Sequence, residues 1–528
     1  MVTTKRKSRL LAASGAVLAL TLPSAASAAS AASAASTASV PPGTAPAAPV
    51  VPVVPAVPAT AGYGKPLVWG ACEGDGLDPR QRCATVEVPV DHSDPAGERI
   101  GIAVSRIPAE RPEARRGVLL MIAGGPGGGS LDEISGKGQR LPQEVRNAYD
   151  LVGFDPRGVG RSAPVSCGLD REDLTTTKFW PWPAADGSVA GNMATARRTA
   201  AACDRNGGEL IRHISTADNA RDLDRVRAAL GERRLSAWGV SYGAYLGAVY
   251  RELFPHRTDR FVLDSNPDGT GSLSHGNFPR GMWAGFEGGV EDAFPEFAKW
   301  ASRDGNPYRL ARTPAEVRDL FLRLAERLDR EPLPWPGAAP AELNGNVLRQ
   351  AMVYALYGPG DFPGLAELIR AAQRGETPPA PEQAPEPFLQ NGLAVALATF
   401  CNDGDWPRSA AVYQAAVDRS RADHPLTAGM PRNATACAAW PSYPKPDPVR
   451  ITDRGDSVVL LVQNERDPAT PLAGARAVRA ALGGRAVMVT VGSTGHEVHL
   501  AQGNACGDRA VTRYLTTGQR PARDTYCP

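Results

Sequence analysis

The chain has 528 residues, a formal net charge of +2, and 42% hydrophobic and 22% charged residues. This length allows one large domain with an insertion, or two domains, and the near-neutral charge excludes a basic nucleic-acid-binding protein. Arginine outnumbers lysine 51 to 7 in a chain also rich in Ala and Pro, which reads as genomic base composition rather than a binding function.

The N-terminus reads as a targeting segment. Lys5 to Arg9 is basic, Leu10 to Leu22 is apolar but short for a bilayer span, and Ala26-Ser27-Ala28 is an A-x-A cleavage site. We expect a signal peptide over 1–28 and a secreted product, extracellular or associated with the cell wall. Residues 29–62 are uncharged Ala, Ser, Pro and Val, as in a disordered stalk or pro-segment. No later run reaches about 20 apolar residues, so no stable membrane span is expected.

Beyond residue 63, Arg82–Val90 and Ile100–Ile107 alternate as antiparallel strands around a turn at 94–97. Val118–Ala123 is an apolar strand that runs into Gly124-Gly-Pro-Gly-Gly-Gly129, and Asp150–Phe154 is the next. Thr216–Leu230 has Leu223, Val226 and Leu230 at helical spacing, with Gly231 as the stop. An apolar strand then enters Gly239-Val-Ser241-Tyr-Gly243, and Ala244–Tyr250 reads as a helix. Arg260–Asp264, Ser457–Val462 and Ala486–Val491 are further strands. Apolar strands alternating with helices predict a mostly parallel central sheet covered on both faces. Between 270 and 400 the pattern is helical. Thr313-Pro-Ala-Glu316 is a capping box opening a helix with Val317, Leu320, Phe321, Leu324 and Leu328 on one face, and Asn346–Tyr357 and Phe362–Arg374 follow. The expected organisation is a core over 63–269, an inserted helical cap over 270–400, and the rest of the core over 401–528.

Strand, G-x-S-x-G and helix in succession form the nucleophile elbow of the α/β-hydrolase fold. The turn is tight enough that both flanking positions need glycine. That fold places the acid and then the histidine after later strands. Asp467, leaving the 457–462 strand, is the expected acid, with Glu465 in reserve; His496, leaving the 486–491 strand, is the expected base, with His499 in reserve. Ser241 would be the nucleophile, and the amides of Gly125 and Tyr242 the oxyanion hole. The glycine run lacks the Gly-Lys-Ser/Thr ending of a phosphate loop, and His496-Glu-Val-His499 is one residue short of the zincin spacing. No cofactor or metal is expected. Cys72, Cys83, Cys167, Cys203, Cys401, Cys437, Cys506 and Cys527 make an even set in a chain bound for an oxidising compartment. Pairing of nearest neighbours in sequence would close four short loops.

The succession Gly124-Gly-Pro-Gly-Gly, Phe154-Asp-Pro-Arg-Gly, Asn219-Ala-Arg-Asp-Leu-Asp224, Trp238-Gly-Val-Ser-Tyr-Gly243, Val262-Leu-Asp264, Asp467-Pro-Ala-Thr-Pro471 and Gly495-His496 resembles the secreted tripeptidyl aminopeptidases. These are a prolyl-aminopeptidase-like branch of the α/β-hydrolases, and the tail from Cys506 to Cys527 is similar to their C-terminal TAP-like module. Three positions depart from the pattern: Ala123 for histidine, Ala244 for threonine, and Glu497 where glycine is frequent after the histidine. The resemblance implies removal of short peptides, often tripeptides, from free N-termini. Such an enzyme must bind an ammonium; Glu287, Glu291 and Asp403 are the candidates. The expected partners are peptides with free N-termini. The same triad would also serve an esterase, a lipase or an endopeptidase, and the cap decides between them.

Overall fold

In a computed structural model of the chain, residues 66–272, 283, 285–443 and 447–528 are described. The signal-peptide and stalk expectations lie outside them. Ten strands form one sheet: β1 (Gly70–Ala71), β2 (Arg82–Pro89), β3 (Arg99–Ile107), β4 (Gly117–Ile122), β5 (Tyr149–Phe154), β6 (Leu235–Val240), β7 (Thr258–Asp264), β8 (Val459–Arg466), β9 (Ala486–Thr494) and β10 (Thr525–Cys527). Their spatial order is β1-β2-β3-β5-β4-β6-β7-β8-β9-β10. The three pairings from β1 through β5 are antiparallel and the rest parallel. β4, β5 and β6 are buried at every residue, as strands covered on both faces require.

Two apolar layers cover the sheet. Leu223, Leu246, Val249 and Val478, from helices Thr216–Ala229, Tyr242–Leu253 and Leu472–Ala481, pack on one face. Ile134, Val145, Val511 and Leu515, from Glu133–Arg140, Gln143–Ala148 and Ala505–Thr517, pack on the other. This is the α/β-hydrolase arrangement expected from the strand pattern. It puts the ends of β6, β7, β8 and β9 side by side.

The helical layer has its own core, including Phe294, Phe297, Phe321, Leu348 and Ile369. The capping box of Pro314–Arg330 forms, with Glu316 N–H donating to Thr313 Oγ1 at 3.2 Å. The layer reaches beyond the expected 270–400 span. Trp180, Trp182, Leu426 and Met430 share its core, and Tyr413 and Val417 of helix Ala410–Asp423 pack on Val189 and Met193. The segment after β5 and the segment before β8 each contribute a wall, which apolar periodicity within 270–400 could not reveal. Four disulfides join Cys72–Cys83, Cys167–Cys203, Cys401–Cys437 and Cys506–Cys527, so every pair is a nearest neighbour in sequence. Cys401–Cys437 fastens the end of helix Glu386–Asn402 to the segment before β8.

Candidate active site

Ser241 stands between β6 and helix Tyr242–Leu253 with φ 59° and ψ −123°, a backbone state that a non-glycine residue holds only when its surroundings enforce it. The two glycines show why. A Cβ on Gly239 would lie 2.3 Å from Gly243 O, and one on Gly243 would lie 2.2 Å from Ile122 O. Both obstacles are backbone and cannot swing away. The elbow is held from β7 by Ser241 N–H donating to Asp264 O at 2.9 Å.

The glycine loop passes beside the serine: a Cβ on Gly124 would lie 3.2 Å from Ser241 Cβ. Gly125 has φ 118°, open only to glycine without strain. Tyr242 opens its helix, so its N–H is among the four with no intrahelical acceptor. Its ring is buried, and its hydroxyl sits 2.8 Å from Thr216 Oγ1. Cap helix Glu386–Asn402 closes over this loop, with Gly392 O 2.6 Å from where a Gly127 Cβ would be.

Asp467 and His496 come together as expected: His496 Nδ1 lies 3.0 Å from both Asp467 carboxylate oxygens. Asp467 is 1% exposed and lies in a turn of its own making. Its Oδ1 accepts from the Ala469 and Thr470 amides at 2.9 Å, and its Oδ2 from Thr470 Oγ1 at 2.9 Å. These bonds fix the carboxylate beside the imidazole. Burial disfavours the imidazolium, but Asp467, aided by Glu497 and Asp264, outweighs it and raises the His496 pKa above 6.5. Among the described residues no hydrogen bond joins Ser241 to His496. Bonds of this kind tighten as substrate enters.

The reserves separate cleanly. His499 is fully buried and bonds Asp508 at 3.1 Å, while Glu465 faces Arg466 at 3.3 Å and the Tyr526 hydroxyl. Neither reaches the Asp467–His496 pair.

Other positioning groups were not foreseen. The Asp264 carboxylate, fully buried, accepts from the Val498 and His499 amides at 2.9 Å and so pins the histidine loop. The cap contributes Tyr357: its carbonyl accepts the His496 amide at 2.9 Å, and its ring centroid is 5.1 Å from the imidazole. Nothing in the local sequence marks Tyr357. An Asp-initiated turn is the signal that could have found Thr470.

The three amine-binding candidates differ. Glu291 is committed to Arg318 at 2.8 Å and to the Leu426 amide. Asp403 accepts from the Thr216 amide at 2.8 Å and from the Thr216 hydroxyl. Glu287, 5% exposed, accepts from Arg432 on Oε1 at 2.7 Å, while its buried Oε2 has no hydrogen-bond partner among the described residues. It borders a cavity of about 480 Å³ with Trp283, Trp406, Ser420 and Arg432. Two residues on, Gly289 presses on the acid turn, where a Cβ would lie 2.9 Å from Asp467 O.

The α/β hydrolase fold family matches residues 117–287, and the TAP-like protein family matches 425–527. A tripeptidyl aminopeptidase of Streptomyces lividans is 34% identical over 486 residues, covering 87% of this chain and 86% of that protein. The chain belongs to the tripeptidyl aminopeptidase family of α/β-hydrolases. Serine protease Hip1 of Mycobacterium tuberculosis is 28% identical over 497 residues, covering 88% of this chain and 91% of its own. Carboxylesterase B of the same species is 30% identical over 466 residues, covering 84% and 86%. The family therefore contains proteins named for peptide and for ester cleavage.

Proposed function

We propose that this chain is a secreted serine exopeptidase that releases short peptides, tripeptides foremost, from free N-termini. In this reading Ser241 attacks the scissile carbonyl while His496 takes its proton. Asp467 holds the imidazole tautomer and stabilises the imidazolium. The amides of Tyr242 and Gly125 receive the oxyanion, each worth about 3 kcal/mol in the transition state. His496 then protonates the leaving amine, and water hydrolyses the acyl-enzyme by the same relay in reverse.

The observation that carries the exopeptidase reading is Glu287. A buried carboxylate with one oxygen engaged by arginine and the other unpartnered is suited to a substrate ammonium, and unsuited to the acyl chain of a simple ester. Glu287 is accordingly the proposed amine ligand. Four disulfides support export to an oxidising compartment, together with the basic and apolar N-terminal pattern. The test is Glu287→Gln. It should raise KM for a tripeptide anilide with a free amine about tenfold or more, and leave turnover of a small acyl ester within about twofold. An equal effect on both substrates would remove Glu287 from amine recognition.

A further inference from the structure

Lys137, one of seven lysines among 51 arginines, is 7% exposed, whereas Lys178 and Lys299 lie on the surface. It projects from helix Glu133–Arg140 into the space behind the histidine loop. Its ammonium lies 2.8 Å from Glu133 Oε1 and 2.9 Å from Glu497 Oε1, and 4.9 Å from the centroid of the Trp238 ring. Trp238 immediately precedes Gly239 of the elbow, and Glu497 immediately follows His496. One ammonium therefore spans from a sheet-covering helix to the histidine loop, across the strand that carries the nucleophile. The compact lysine ammonium places its donors against both carboxylates and over the ring face at once.

Glu497 holds φ 70°, a left-handed backbone state that glycine would occupy without strain. A glutamate there is retained against that strain by two anchors: its amide donates to Ser265 Oγ at 2.8 Å, and its carboxylate meets Lys137. Two carboxylates face one ammonium, and burial pushes the Glu133 carboxyl up against the pull of Lys137 and Arg140. The groups facing His496 are Asp467 and Thr470 from the acid turn, the Tyr357 carbonyl and ring from the cap, Asp264 from β7, and Glu497. Lys137 and Glu133 stand behind Glu497, Arg140 of the same helix acts on Glu133 and donates to Leu500 O at 3.3 Å, and the His499–Asp508 pair lies beyond Trp238.

We propose that Glu497, held by Lys137, is a positioning residue for His496: the ion pair fixes the loop that carries the imidazole, and the Glu497 carboxylate beside it favours the imidazolium formed during catalysis. The inference rests on His496 being the general base. The negative field also fits the direction of the His496 shift.

Two substitutions separate position from charge. Glu497→Gln keeps the shape and an oxygen for Lys137 but removes the charge. The acidic limb of its kcat–pH profile should move to lower pH, with KM unchanged within about twofold. Glu497→Gly removes the tether, and its kcat should fall about tenfold or more at every pH while KM holds. Thermal melting checks that both variants fold, and His496→Ala is assayed beside them. A Glu497→Gly enzyme with wild-type kcat overturns the positioning role, and an unmoved acidic limb in Glu497→Gln overturns the charge role. An active His496→Ala variant would instead overturn the base assignment beneath both.

Discussion

Asp264 ties Ser241 to the histidine loop: its carbonyl accepts the Ser241 amide, and its buried carboxylate accepts the amides of Val498 and His499, all at 2.9 Å. One residue thus sets the elbow and the loop relative to each other. In Asp264→Asn one carboxylate oxygen becomes an NH2 that cannot accept, so one loop amide is left unpaired. Because small misplacements of a reacting group cost up to about 100-fold, kcat should fall by 10- to 100-fold with KM little changed. Steady-state kinetics on a peptide anilide measures this, and a kcat within twofold of wild type would contradict it.

The pH dependence has a definite sign. In the proposed mechanism His496 is the general base and must be neutral, and its pKa is raised, so kcat/KM should fall as pH drops through a value above 6.5. Burial, followed by the Glu497 charge, pushes the Asp264 carboxyl up to about 6. Protonation there removes an acceptor from the histidine loop, so the loss below pH 6 should be steeper than a single titration allows. A single-group acidic limb centred below 6.5 would contradict both statements.

Arg157 and Asp222 should matter for folding and not for chemistry. Arg157 is fully buried and binds Asp222 through Nε and Nη2, both at 2.7 Å, while also donating to the carbonyls of Pro89, Val90 and His213. Removing one partner leaves a buried charge, so Arg157→Met should destabilise by about 3–5 kcal/mol in urea unfolding. Burial pushes the Asp222 carboxyl up, but Arg157 outweighs it and holds its pKa below 3.8. A folded-state pKa below the unfolded one gives stabilisation that is full above about pH 4 and is lost as pH falls further. The variant should lose that part of the acid sensitivity.

Cys401–Cys437 spans 36 residues, and removing it should cost on the order of 3–4 kcal/mol by loop entropy. A double Cys→Ala variant should lower the melting temperature while fluorophosphonate labelling of Ser241 persists at low temperature, because the backbone turn at Ser241 is held independently of this bond by β4 and β7. Loss of labelling in a folded variant would contradict that independence.

Much of this was legible in the sequence because it is local. The elbow needs only residues 239–243, the strands are short apolar runs, and the acid and histidine follow their strands directly. The nearest-neighbour cysteines close short loops. The long-range ties were not legible. Tyr357 reaches His496 from 139 positions upstream, and Lys137 reaches Glu497 across 360. No spacing rule joins residues that far apart. The cap's apolar core is completed from outside 270–400 by Trp180, Trp182, Leu426 and Met430, which lie outside any helix of four turns and so carry no helical periodicity of their own.

The most direct measurement is hydrolysis of an Ala-Ala-Pro anilide with a free N-terminus beside its N-acylated twin, by the wild-type enzyme and by Ser241→Ala. Hydrolysis of the free form alone, abolished in Ser241→Ala, is the expected result. Equal hydrolysis of both forms would contradict the exopeptidase assignment, and activity surviving in Ser241→Ala would contradict the nucleophile.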